Sequence, residues 1–93
     1  MKTFQLGETV ICSLEIKNTA GNYVVPDTSV TISIWLLNDS IRIVNDAAMT
    51  PDAVGKYHYD YTATGTIGRH AIRFKAVDAG RTTIKEDEFI LQD

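Results

Sequence analysis

The side chains able to do chemistry are few in this chain of 93 residues, and they stand apart from one another. Two imidazoles, His58 and His70, offer metal ligation or general-base chemistry. Neither lies in an HExxH, HxH or nucleophile-elbow pattern. His58 alternates outward beside Asp60 and is expected to be exposed, whereas His70 falls on an inward position near a corner and is expected to be hydrogen-bonded there. A serine nucleophile needs an adjacent base. Ser13, Ser29 and Ser33 lie within strand patterns and Ser40 in a turn, none in an activating motif. Glu86-Asp87-Glu88, with Asp78 upstream, could offer oxygen ligands to calcium, but that ion takes about six to eight of them and no EF-hand spacing is present. On a strand Glu86 and Glu88 share a face with Asp87 opposite, which suits a charged solvent face or a protected edge. Cys12 is the single cysteine, so the chain can form neither an intrachain disulfide nor a cysteine zinc site. No catalytic, metal or cofactor-binding residue emerges, and the chain is expected not to be an enzyme.

The aromatic residues carry a second kind of chemistry. Tyr57, Tyr59 and Tyr61 alternate along one strand pattern and could stack on sugar rings if they faced solvent. The same spacing suits a core-facing strand with hydroxyls reaching the rim, which is the expected placement. Trp35 and Leu37 alternate with an apolar set, Val30, Ile32, Ile34 and Leu36, that should face the core. They are therefore candidates for an outward contact surface. Covering loops, or a bulge that flips the register after Ile34, would remove them from it. Asn38-Asp39-Ser40 matches the glycosylation sequon, a three-residue pattern of little weight.

These residues must be positioned by strands. Thr, Ile and Val number 11, 10 and 7, and no stretch sustains a helical apolar period. Thr9–Lys17 alternates with Val10, Cys12, Leu14 and Ile16 on one face, and the place of Cys12 there makes it a buried thiol. Asn18-Thr19-Ala20-Gly21-Asn22 is a turn cluster. Ser29–Leu37 is the next strand, and Ile41–Val44 returns as its hairpin partner after Asn38-Asp39-Ser40. Asn45–Gly55 is expected to be irregular, with a turn at Thr50-Pro51-Asp52 and a short edge strand at Ala48-Met49. Lys56–Thr62, Arg69–Val77 and Thr82–Leu91 complete the set, the last two joined by a tight turn at Asp78-Ala79-Gly80-Arg81. Turn signals about every ten residues and no repeat imply one all-β domain, residues 1–93, built as an antiparallel two-sheet sandwich.

The formal charge of −3 and the scattering of the nine basic residues disfavour nucleic acid and anionic membrane surfaces as partners. Residues 1–7 lack the apolar core of a signal peptide, and no apolar run is long enough to span a membrane. Cytoplasmic synthesis and use, or excision of a domain with an added methionine, both fit.

Three stretches carry a family likeness: Gly7-Glu8-Thr9-Val10, the GKYHYDYT of Gly55–Thr62, and the GRHAIRFKAVDAG of Gly68–Gly80. Over Glu8–Leu91 the chain resembles the immunoglobulin-like modules of prokaryotic surface proteins and phage structural proteins. In such modules the pattern G-x-Y-x-Y, followed by G-x-Y-x-h-x-h-x-A, marks two successive strands and their crossing corner; here His70 stands in for the second tyrosine. The resemblance implies an immunoglobulin-like antiparallel sandwich of about seven strands. Antibody-type domains match less well, since Cys12 lacks a partner, Ile72 occupies the second cysteine's place and Trp35 follows Cys12 too distantly. The internal lysine–asparagine crosslink of some surface modules finds no acidic helper near Lys17 and Asn18.

The expected function is a non-catalytic structural or interaction module, a component of a virion or cell-surface assembly. It would act through contacts with a protein partner or with further copies, using Trp35 and Leu37, and would need no cofactor. The alternative is a carbohydrate- or host-surface-binding module.

Overall fold

Alternation of apolar and polar residues decides which strand face is buried, and a chain with several such strands must close two sheets over one core. The computed structural model describes residues 2–26, 29–37, 41–63, 65–78 and 80–93. It contains two packed sheets and, among the described residues, no helix. The strands are β1 (Lys2–Gln5), β2 (Thr9–Glu15), β3 (Ser29–Leu36), β4 (Ile41–Ala48), β5 (Thr50–Ala53), β6 (Lys56–Thr62), β7 (Gly68–Asp78) and β8 (Arg81–Gln92). One sheet has the order β1-β8-β7-β3-β4, the other β2-β6-β5. All pairings are antiparallel except β1 with β8.

The core forms where the apolar faces meet. Val10, Cys12 and Leu14 of β2 and Tyr57 and Tyr61 of β6 pack against Ile32 and Ile34 of β3, Ile72 and Phe74 of β7, and Phe89 and Leu91 of β8. Tyr59 is partly buried against the same cluster. The tyrosine row is thus a core row, as its spacing implied, and Cys12 is a buried thiol.

Three parts depart from the sequence expectation. Asn45–Gly55 is mostly strand: β4 runs through to Ala48, and β5 follows at Thr50. The ladder between β3 and β4 shifts register between Ile32↔Ala47 and Ile34↔Val44, so that Asn45 and Asp46 together oppose Ser33. That bulge is held by Ser33, whose hydroxyl accepts the Asp46 N–H at 3.0 Å and donates to Asp46 Oδ1 at 3.3 Å, with Asp46 at φ 49°. Asparagine and aspartate runs break simple alternation without ending a strand. Pro51 lies within β5, an edge strand, where a missing N–H can face outward. Finally, Lys2–Gln5, a segment with no assigned strand, adds β1 in parallel along Phe89–Gln92. With β5 it brings the strands among the described residues to eight. The sequon Asn38-Asp39-Ser40 lies outside the described residues.

One glycine is fixed by a close approach. Gly55, at φ 72°, turns between β5 and β6 under the Ile16–Val24 segment; its carbonyl accepts the Ile16 N–H at 2.7 Å. A Cβ there would stand 2.6 Å from the Ile16 carbonyl oxygen and 2.9 Å from Tyr23 Cβ. Both the positive φ and the collision penalise any side chain. Gly55→Ala is expected to lower unfolding free energy by more than about 2 kcal/mol in urea titration. An unchanged midpoint would mean that this turn is not rigid.

Candidate functional site

The outer face of the five-stranded sheet gathers the residues singled out for contact. Along β3 Ile32, Ile34 and Leu36 are buried inward, while on the other side Ser33 is buried beside the Asp46 bulge and Trp35 and the following Leu37 are half-buried. The register flip that would have turned them inward does not occur, because the bulges fall on the β4 side of the ladder. What partly covers Trp35 is arginine. Arg42, its cross-strand partner on β4, stands 5.5 Å from the ring centroid, and Arg73 of β7 stands 5.3 Å away.

On the β8 side this face becomes acidic. Glu86 lies opposite Arg73 and accepts from its Nη2 at 3.4 Å; Glu88 lies opposite Ala71 and takes Arg69 Nε at 3.1 Å. Ala71 pairs with Trp35 on one side and Glu88 on the other, so a small side chain separates two large ones. The result is an open depression of about 520 Å³ lined by Trp35, Leu37, Ala71, Glu86, Asp87 and Glu88. Arg73 Nε is buried there without a hydrogen-bond partner, so the arginine is only partly satisfied where it lies. Exposed cation–π and ion-pair contacts contribute about 0–1 kcal/mol each, so a docking group could displace them at small cost.

The other candidates are dispersed. His70 is fully buried on β7, stacked on Phe89 at 4.9 Å with an 8° interplanar angle. The Gly68 carbonyl can only accept, so His70 Nδ1 donates to it at 3.0 Å, and Nε2 is left without a partner. Its hydrogen bond at the β7 entry matches the corner role expected of it. His58 is not freely exposed beside Asp60: its Nδ1 meets Asp52 Oδ1 at 2.6 Å across the β5–β6 pair, and the ring is half-buried. Asp52 was hidden from sequence reasoning because β5 was not expected there.

Ser13 of β2 stands opposite His58 in register, so Asp52, His58 and Ser13 form a row across β5, β6 and β2. No hydrogen bond joins Ser13 to His58 in the structure. The row is an Asp–His pair with a serine opposite it in register, and a serine hydroxyl becomes a nucleophile only through a hydrogen bond to such a base. Glu86 and Glu88 hold arginines, and among the described residues no group of three His, Cys, Asp or Glu is arranged to hold a metal. Asn18 serves its own turn, its side-chain oxygen accepting the N–H groups of Ala20 and Asn22. Lys17 lies over Tyr23, 4.9 Å from the ring centroid.

Cys12 is chemically quiet. Burial, and after it the negative charges of Asp60 and Asp87, pushes its thiol from 9.0 up to about 11. Between those values the unfolded chain releases a proton that the folded chain keeps. Stability therefore falls by about 2–3 kcal/mol as pH rises through that window. Urea titrations from pH 8 to 11 are expected to show this loss in the wild type relative to Cys12→Ala; parallel curves would place the thiol in water.

Trp35 is the only tryptophan, which makes its cover measurable. Arg42→Ala and Arg73→Ala should each increase acrylamide quenching of its fluorescence while changing stability by less than about 1 kcal/mol. Quenching as weak as in the wild type would show that the arginines do not shield the ring.

Compared with known protein families, with curated proteins and with solved structures, the chain finds no match in any of the three.

Proposed function

We propose that this chain is an immunoglobulin-like module that works by binding, without catalysis, as a component of a larger assembly such as a virion or a prokaryotic surface structure. Strand order supports the immunoglobulin-like reading. Counting β2 to β8 as the strands B, C, C′, D, E, F and G of such domains, B, E and D share one sheet and G, F, C and C′ the other, with β1 alongside G. The sequence likeness over Gly55–Thr62 and Gly68–Gly80 falls on β6 and β7, the strands that would be E and F.

The observation that carries the functional reading is the depression beside Trp35 and Leu37. A half-buried tryptophan, an apolar neighbour and an alanine notch, rimmed by charged pairs, have the make-up of an interface centre with a polar rim. A protein neighbour would seat an apolar side chain in the notch and displace arginine from the ring. The sugar-binding alternative has less behind it. Its tyrosine platform faces the core, and the π surface of Trp35 already carries two guanidinium groups.

The test is solution mass by light scattering coupled to size exclusion over a wide concentration range. A trimer or larger species is expected to grow with concentration, and Trp35→Ala and Leu37→Asp are expected to suppress it. Variants that assemble as the wild type does would overturn the role given to this face.

A further inference from the structure

An open sheet has edges, and an edge strand offers unpaired backbone groups to any other strand. In this fold the edges are β1 and β4 of one sheet, β2 and β5 of the other, and the part of β8 that β1 leaves uncovered. Four of these five carry a device against pairing. β1 and β5 have four residues each, with Lys2 in the first and Pro51 in the second. β4 is interrupted by two register shifts and by Asp46 at positive φ. The uncovered part of β8 turns Lys85 and Asp87 to the inner face, paired with Phe74 and Ile72.

β2 carries no such device. Its seven residues pair with β6 without a register shift and contain no proline, glycine, lysine or arginine. Its burial alternates strictly, and Ile11, at the centre of the outward face, is 61% exposed. On the open side, between β2 and the β1–β8 pair, a cavity of about 110 Å³ reaches Cys12, Phe4 and Phe89. Lys2 of β1 and Asp87 and Glu88 of β8 line the same cavity.

The sequence of β2 is also complementary to itself. In an antiparallel pair of identical strands, inward residues must meet inward residues, and only one such register overlaps all seven positions. It sets Thr9 against Glu15, Val10 against Leu14, Ile11 against Ser13 and Cys12 against its own copy. Glu15, the one charged residue of the strand, then faces a threonine and never its like. The two Ile11 side chains become diagonal neighbours across the dyad, which covers the apolar group the monomer leaves in water.

We infer that β2 is a self-recognition edge: two copies of this chain join β2 to β2 about a two-fold axis centred on Cys12, fusing their three-stranded sheets into one of six. The occupant is a second copy because the register, the charge placement and the exposed isoleucine are all satisfied by the same strand. A two-fold contact of this kind closes at the dimer. It is independent of the Trp35 face, on the opposite sheet, through which larger assembly is proposed.

Sedimentation equilibrium from about 1 µM to about 1 mM tests it, with Ile11→Lys, which sets two cations beside each other across the dyad at an exposed position. In Trp35→Ala, where the larger assembly is removed, the expected result is a concentration-dependent dimer, weakened at least about tenfold when Ile11→Lys is added. Amide exchange in the wild type should slow with concentration in Thr9–Glu15. A chain monomeric throughout the range would overturn the inference. So would a dimer indifferent to Ile11→Lys, or one lost with Trp35→Ala and Leu37→Asp, although the last would leave the Trp35 face standing.

Discussion

The two sheets are joined through Phe89. Its ring, on β8, meets Phe4 of β1 edge-on at 5.8 Å, Tyr61 of β6 at 6.4 Å and His70 of β7 in parallel at 4.9 Å. One side chain thus holds the parallel edge strand, the neighbouring strand of its own sheet and the facing sheet. Aromatic contacts of this kind add about 0.5–1.5 kcal/mol each to the area they bury. His70 accepts an unpartnered Nε2 in return for lying flat on that ring and closing the β7 entry through Gly68. With these strands locked, β7 and β3 must run as the middle of the five-stranded sheet, inner face on the core and outer face in water.

That constraint explains the outer surface. Pairing β3 between β4 and β7 brings Arg42 and Arg73 to Trp35 from either side, and pairing β7 with β8 sets Glu86 and Glu88 next to the arginines. The depression exists because Ala71 lies between Trp35 and Glu88; a larger residue at that crossing would fill it. The charged pairs there are exposed, so they order the face without holding the fold together. The core and the proposed contact surface thus lie on opposite faces of the same strands. The edge of β2 extends this division to the second sheet, where Val10, Cys12 and Leu14 serve the core while the backbone and Ile11 remain available.

Much of this was legible in the chain. The inward sets of β2, β3, β6 and β7 follow from period-two alternation, which is local and needs no knowledge of neighbours. So do the burial of Cys12 and the inward tyrosines. Less legible were β1 and β5. Four-residue edges such as Lys2–Gln5 and Thr50–Ala53 bury almost nothing, so hydrophobic pattern says little of them, and each exists because a longer strand offers it a ladder. The bulge at Asn45-Asp46 hid the length of β4 for the same reason: it breaks the alternation while Ser33 of another strand repairs it.

By itself, then, the sequence determined an all-β chain and the core faces of β2, β3, β6 and β7, because strand geometry ties each side chain to its immediate neighbours. It left the direction of Trp35 open to a bulge, and the pairing of β3 with β4 and β7 decided it. Tertiary structure alone decided that arginines from two flanking strands cover the tryptophan and that Asp52 finds His58. It also decided that Ala71 opens a depression and that β2 is left at an edge. Each depends on which strands lie side by side, a choice made by the packing of two sheets over one core and written in no single segment.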